Sequence, residues 1–189
     1  FVKDRTIDTV GELSGKSIAV LEYDSAQASM ASRVGMSPVM SDITNFSGRF
    51  NNGSVDICFA PIAAYSALEL YKGMQPDGGM IDYVLGQLTA QVILKKDKFP
   101  DGYADKSRKY MLGQFDRAMT VIENANNEVD KKWWIRIPEA DKLRYDEMMR
   151  EARIALTKDG VYSKEMMSLL RKVRCKEEPS RAECVNPVE

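Results

Sequence analysis

Three short apolar runs, separated by glycine-punctuated helical stretches, restrict the first 75 residues of this chain to a small set of folds. Ser17 to Leu21 is a continuous run entered from Gly15, and it reads as a strand buried on both faces. Ser37 to Met40 and Val55 to Phe59 read as a second and a third strand. Between the first two, Asp24 or Ser25 can cap a helix rich in small residues (Ala26, Ala28, Ala31) that stops at Gly35. Thr44 to Asn52 reads as the next helix, closed by Gly53. Pro61 suits the first turn of a helix running to about Leu70, and Gly73 with Pro76-Asp77-Gly78-Gly79 ends it in a turn. Alternating strand and helix is the pattern of a parallel, doubly wound α/β sheet.

The next segment, Ile81 to Leu94, places Val84, Leu88, Ala90, Val92 and Leu94 on one face at period two. A strand of that length would span roughly 46 Å at ~3.3 Å per residue. It could cross between two lobes, with Gly86 supplying a bend; the alternative is two ordinary strands broken at Gly86. After Pro100 the pattern turns helical. Met111, Phe115, Ala118, Met119 and Ile122 form one stripe. A second helix follows Pro138, with Leu143, Met148, Ala152 and Ala155 on its apolar side and Gly160 after it. Met166, Met167, Leu169, Leu170 and Val173 mark a third, and Trp133-Trp134-Ile135 reads as an irregular link between helices. The expected organisation is an α/β ligand-binding lobe with its crossing strand at 1–94, a helical region at 95–175 and a tail at 176–189.

Composition removes several functions. The chain has no histidine, so Ser-His-Asp and Cys-His catalysis and most zinc sites are excluded, and no metal or cofactor is expected. A net charge of -1 offers no footing for nucleic acid. No apolar run approaches the ~20 residues of a membrane span. Walker, GxGxxG and Cys-x-x-Cys sequences are missing. Cys175 and Cys184 sit in a polar, proline-containing tail, which suits a disulfide in an oxidising compartment; the alternative is two free surface thiols in a cytoplasmic protein. Cys58, between Ile57 and Phe59, reads as a small buried hydrophobe.

The order and spacing of Leu13-Ser14-Gly15, Gly35-Met36-Ser37-Pro38-Val39, Gly53-Ser54-Val55-Asp56 and Ala60-Pro61 resemble a TRAP-type (DctP-like) periplasmic solute-binding protein, in its C-terminal portion. Within that family the chain is similar to a divergent AdeT-like group, which has been labelled an efflux-pump component linked to aminoglycoside resistance. The resemblance implies a periplasmic-binding-protein-like (type II) lobe and a periplasmic location. It also implies a long strand passing between lobes, where the period-two run lies. Family members are longer and this chain begins at Phe1, so the expectation is a fragment or processed product; the alternative is a complete small protein whose leader was removed. Part of the helical region would then pack on a lobe that is absent, and self-association through the helical half is expected.

Ligands of open α/β sheets bind beyond the carboxyl ends of strands, here Glu22-Tyr23-Asp24-Ser25 and Ala60-Pro61. Both lead into helix N-termini, and a helix capped at Ala60 would leave amides for a ligand or for water. Tyr23 and Tyr65 could stack on a ligand ring, with lobe packing the alternative for Tyr65. In the family, an Arg at the place of Ala19 and an Asn at the place of Ala60 hold a substrate carboxylate; a second family Arg matches Arg5. One of three anchors therefore remains, and the ligand implied is not the usual small organic acid. Glu22 and Asp24 favour a cationic or polyhydroxylated solute.

Three function classes follow. The first is the solute-binding component of a transport system, partnering membrane transporter subunits and making no bonds. The second is an accessory protein of an envelope complex. The third, the effector domain of a cytoplasmic regulator, is disfavoured by the Cys175/Cys184 pair and by the lack of a DNA-reading segment.

Overall fold

The computed structural model describes residues 1–86 and 91–188. Its central strand is β1 (Ser17–Leu21), whose residues Ile18, Ala19 and Val20 are buried. It pairs in parallel with β2 (Ser37–Ser41), Ser17 opposite Ser37 through Leu21 opposite Ser41. On its other side lies β3 (Ile57–Cys58), also parallel, with Ile18 opposite Ile57 and Ala19 opposite Cys58. The crossovers are α1 (Ser25–Arg33) and α2 (Phe46–Asn51). Asp24 caps α1 by accepting the Gln27 N–H at 2.9 Å. Gly35 ends it at φ +78°, where the Gly35 and Met36 amides return to Ser32 and Ala31 carbonyls at 3.1 and 3.0 Å. Gly53, at φ +82°, closes α2 in the same way onto Phe50 and Arg49.

After β3 come α3 (Ala64–Ala67), α4 (Tyr71–Met74) and β4 (Met80–Ile81). Then follow α5 (Tyr103–Leu112), α6 (Phe115–Asn127) and β5 (Trp134–Ile135), which pairs in parallel with β4. The chain finishes with α7 (Glu139–Lys158), α8 (Lys164–Glu177) and α9 (Ala182–Val185). Val2 joins the two sheets, bridging antiparallel to Ile57 on one side and to Gly79 on the other.

The alternation of β1 splits the core into two layers. Ala19 packs with Phe46, Phe50, Cys58, Leu70 and Met74. Ile18 and Val20 pack on the opposite face with Ile7, Leu13, Tyr145 and Met148. The 20-residue helix α7 covers that second face, and the Tyr145 hydroxyl donates to the Asp8 carbonyl at 3.2 Å. Cys58 is fully buried, and burial pushes its thiol up to about 11, as expected of a structural hydrophobe.

Several expectations are corrected. The helix expected from Pro61 to Leu70 is only the short α3 (Ala64–Ala67), because Glu69 turns left-handed (φ +51°) and lets the Leu70 amide return to the Tyr65 carbonyl at 2.9 Å before α4 begins at Tyr71. Among the described residues of the long strand expected over 81–94, only Ile81 forms a ladder, as the end of β4. The Asp82 N–H still reaches the Ile135 carbonyl of β5 at 2.9 Å, and residues 83–86 and 91–94 lack a neighbouring strand among the described residues. Gln87 to Ala90 lie outside the described residues. Trp134–Ile135 is a strand, not an irregular link. The single stripe from Met111 to Ile122 spans two helices that break at Gly113 and Gln114. On α7, Met148 and Ala152 are buried as expected, but Leu143 is 70% exposed and Ala155 only half-buried, and Tyr145 and Leu156 take the remaining buried positions. The tail contains α9, tied by the Cys175–Cys184 disulfide with 5.6 Å between Cα atoms.

The Val2 junction tolerates no side chain at its centre. A Cβ on Gly79 would lie 2.6 Å from the Trp133 carbonyl oxygen, and one on Gly78 would meet the Val2 and Met74 carbonyls. Gly79→Ala is expected to lower stability by about 1–3 kcal/mol, since backbone cannot yield as a side chain would. Gly48→Ala, in α2 with nothing within 4 Å, should gain about 0.5–1 kcal/mol. Urea unfolding of the two variants, expected to shift in opposite directions, checks both.

Candidate functional site

The carboxyl edge of the sheet gathers most of the residues that sequence reasoning singled out. Ala19 lies opposite Cys58, and two residues beyond each the chain reaches Leu21 and Ala60, followed by Glu22 and Pro61. Leu21 and Ala60 are half-buried against the first core layer, and Ala19 is 1% exposed inside it. Beyond them, Glu22, Ser25 and Pro61 are exposed, as is Tyr23 at 74%. The Glu22 amide is held by the Ser41 carbonyl at 2.9 Å, and the Asp24 amide by Leu21 at 2.8 Å. This fixes the loop backbone while leaving the Glu22 and Tyr23 side chains in solvent.

Pro61 does not begin a helix. The Ala64 and Tyr65 amides, which in a helix capped at Ala60 would reach back to the Ala60 and Pro61 carbonyls, donate instead to the Pro61 and Ile62 carbonyls at 2.9 and 3.0 Å. Tyr65 is buried, stacked on Phe1 with centroids 6.5 Å apart and tilted against Tyr71 at 5.8 Å. Burial, then the charge of Asp130, raises its hydroxyl pKa. Tyr65 thus lies beneath the edge rather than on it, with Trp133 and Trp134 packed against the same layer.

Arg5 is not brought to this edge. Residues 1–3 run antiparallel to β3, with the Lys3 amide on the Asp56 carbonyl at 3.0 Å, so the chain reaches Arg5 beyond the amino end of β3. There its Nη1 donates to the Gly78 and Lys132 carbonyls at 3.2 and 2.7 Å, and its Nη2 to Trp134 at 2.9 Å. The guanidinium staples the start of the chain to the β4–β5 pair. Asp56, part of the Gly53-Ser54-Val55-Asp56 motif, works at that same amino edge. Its Oδ2 accepts both the Ser17 amide and the Ser17 hydroxyl, at 2.8 and 2.7 Å.

Asp24 faces a different space. A cavity of about 160 Å³ opens between α1 and α7, lined by Asp24, Gln27, Met30, Met149, Arg153 and Tyr162, among others. Burial, then the Asp24 charge, raises the Tyr162 hydroxyl. Gln27, Arg153 and Tyr162 carry no sequence signal for a site, because α1 and α7 meet only through the tertiary fold. The far wall is anchored by the tail. Buried Glu183 on α9 accepts from Arg174 Nε at 2.9 Å, with Arg153 at 3.6 Å and Arg181 at 3.9 Å. The disulfide thereby fixes the arginine that lines the cavity. No group of three or more His, Cys, Asp or Glu residues is placed to hold a metal among the described residues, and no described helix is long and apolar enough to cross a membrane.

Asp56 and Glu183 make the fold acid-sensitive. Burial would raise both carboxyls, but it is outweighed, by the Ser17 bonds at Asp56 and by Arg174 and Arg153 at Glu183. Each therefore titrates below its ordinary value, 3.8 and 4.5. Their stabilisation is complete above those values and is lost as pH falls through the lower folded ones. The urea midpoint is expected to drop between about pH 5 and 3, and the Asp56→Asn/Glu183→Gln double variant to show a flatter profile across that range.

Comparison with known proteins places this geometry in context. The family model described as solute-binding protein AdeT 1/2 matches residues 1–189. The probable solute-binding protein AdeT1 of Acinetobacter baumannii is 44% identical over 184 residues, which are 97% of this chain and 60% of that protein. The probable solute-binding protein AdeT2 of the same organism is 25% identical over 183 residues, 97% of this chain and 77% of that protein. This chain therefore spans about 60% of the length of the first of these relatives. A TRAP periplasmic solute-binding protein from Desulfovibrio salexigens, crystallised with orotic acid, shares the fold. The TM-score is 0.66 at 16% identity, covering 90% of this chain and 57% of that one. The TRAP-type resemblance and the periplasmic-binding-protein-like α/β lobe read from the sequence both hold.

Proposed function

We propose that this chain, which belongs to the AdeT 1/2 family of solute-binding proteins, binds a small polar solute at the carboxyl edge of its parallel sheet, in the periplasm, and delivers it to membrane transporter subunits. It makes and breaks no bonds. In a two-lobed binding protein this edge is one wall of the cleft that closes on the ligand. Glu22, Tyr23 and Ser25 on one loop and Ala60 and Pro61 on the next are the contact residues of this reading. Asp24 orients its loop by capping α1, Tyr65 supports the edge from below, and Arg5 braces the lobe from the opposite side.

One observation carries the solute class. Ala19 is sealed into the apolar layer opposite Cys58, so the edge has no cation where the family pattern has its carboxylate-binding arginine. The side chains that do project from the β1 loop are an acid and an aromatic ring. A cationic or polyhydroxylated solute meets both, whereas a carboxylate would face Glu22 with nothing to neutralise it. The relative from Desulfovibrio salexigens, by contrast, carries a carboxylic acid.

A second reading, an accessory protein of an envelope complex, which would include an efflux-associated role, is favoured by the apolar side chains left exposed on α5 and α6.

Isothermal titration of the chain with spermidine and with orotate tests the first reading. The expectation is saturable binding of spermidine, weakened about tenfold by Glu22→Gln and by Tyr23→Ala, a loss of roughly 1.4 kcal/mol each. Saturable orotate binding that ignores both substitutions, or no binding of either probe, would overturn it.

A further inference from the structure

The cavity between α1 and α7 plays no part in the reading of the carboxyl edge. Its volume is about 160 Å³, and an apolar cavity of about 150 Å³ holds one benzene-sized molecule. Buried Ala152 and Leu156 of α7 line it, with half-buried Met30 and Met149 beside them and Ala26 of α1 adding a methyl group. Methionine suits such a wall, because its unbranched thioether adapts to the outline of what it touches.

Polar groups interrupt this lining at Asp24, Gln27 and Tyr162. Asp24 spends Oδ1 on the α1 cap, accepting the Gln27 N–H at 2.9 Å. Among the described residues its Oδ2 has no hydrogen-bond donor, and no Lys or Arg stands within ion-pairing distance of the carboxylate. The Tyr162 hydroxyl likewise has no hydrogen-bond partner among the described residues. Backbone geometry sets its place: Gly160 ends α7 at φ +75°, and the Val161 and Tyr162 amides both return to the Leu156 carbonyl, at 2.9 and 3.2 Å. The charge of Asp24 acts on the Tyr162 hydroxyl, so the two border one space.

We infer that this cavity is a second binding site, and that its ligand is a small primary amine carried on a single apolar ring. The ring fills the space between Met30 and Met149, and the ammonium meets Asp24 Oδ2 and the Tyr162 hydroxyl oxygen. Each feature of the lining selects one feature of the ligand. A carboxylate oxygen without a partner calls for a cation with N–H donors, and the hydroxyl oxygen accepts a further one. The apolar walls require the remainder to be hydrocarbon, and the volume limits it to one ring. Arg153, held by Glu183 at 3.6 Å, puts a fixed positive charge on the same space, so a ligand with several ammonium groups is disfavoured. That separates this site from the carboxyl edge, where Glu22 and Tyr23 stand in open solvent.

Methionine-methyl NMR of the full 189-residue chain, titrated with benzylamine, reads both binding and place. The Met30→Leu and Met149→Leu variants identify the two signals. The expectation is saturable shifts of both, with a Kd between about 10 µM and 1 mM for a ligand of about eight non-hydrogen atoms. Asp24→Asn keeps the helix cap, since Asn caps as well as Asp, and should weaken benzylamine at least about tenfold. Ala26→Met, which fills the cavity from a half-buried position, should do the same. Benzyl alcohol, alike in shape but uncharged, should bind at least about tenfold more weakly than benzylamine, a comparison that needs no variant. Absence of saturation overturns the inference. So do shifts confined to other methionines, an affinity indifferent to Asp24→Asn or Ala26→Met, or benzyl alcohol binding as tightly as the amine. The result is independent of the spermidine titration, because neither Glu22 nor Tyr23 lines this cavity.

Discussion

The backbone pairing of residues 1–3 is the constraint on which the rest of the molecule depends. A two-stranded sheet and a three-stranded sheet with one very short edge are each marginal alone. Val2 exchanges hydrogen bonds with Gly79 at 2.9 and 3.0 Å while Lys3 reaches the Asp56 carbonyl, so one short segment fills the gap between them. Glycine at 78 and 79 lets the backbones approach. Arg5 then ties the same segment to Gly78, Lys132 and Trp134, and the Lys3 ammonium donates to the Gly73 carbonyl at 3.1 Å. The β4–β5 pair is thereby held in line with the parallel sheet, and both core layers gain a continuous floor.

This junction also divides labour between the two edges of the sheet. Structural polar groups concentrate at the amino edge: Arg5 on carbonyls, Asp56 on Ser17, Lys3 on helix ends. The carboxyl edge keeps Glu22, Tyr23 and Ser25 exposed on a loop whose backbone is fixed. A side chain with its own partners cannot also be offered to a solute without breaking them. The separation is what a lobe needs if it is to bind something and stay folded.

Legibility in the sequence followed locality. Strands β1 and β2, helix α1, the Asp24 cap and the glycine stops at 35 and 53 are set within a few residues, and each was readable from apolar runs and caps. What required distant partners was not. The Val2 bridges and β5 depend on distant chain lying beside them, and nothing in Phe1-Val2-Lys3 or Trp134-Ile135 announces a neighbour. The period-two run at 81–94 shows the converse, since alternation without an adjacent strand beyond Asp82 leaves the backbone unladdered where it is described. Glu69 hid a helix break because a left-handed turn there is usually assigned to glycine. At the candidate site, the β1 loop was legible from the rule that ligands meet strand ends. The cavity residues Arg153 and Tyr162 were not, being more than a hundred residues from Asp24.

The burial of Ala19 bears on how the edge could have diverged in ligand class. Its immediate surroundings are apolar: Cys58 opposite it, and Phe46 and Phe50 in the same layer. A guanidinium introduced there would need to reach past Leu21 to the rim, or remain buried without a partner at a cost of several kcal/mol. The layer is closed by Tyr65 on Phe1 and by the two tryptophans, so an arginine could not be restored by one substitution without repacking these rings. An apolar strand end of this kind stabilises the lobe and at the same time removes the charge that a carboxylate requires. The same packing that secures the sheet thus leaves no room within the strand for a charged contact, and under the proposed function the contacts fall to the loop beyond it, Glu22 and Tyr23.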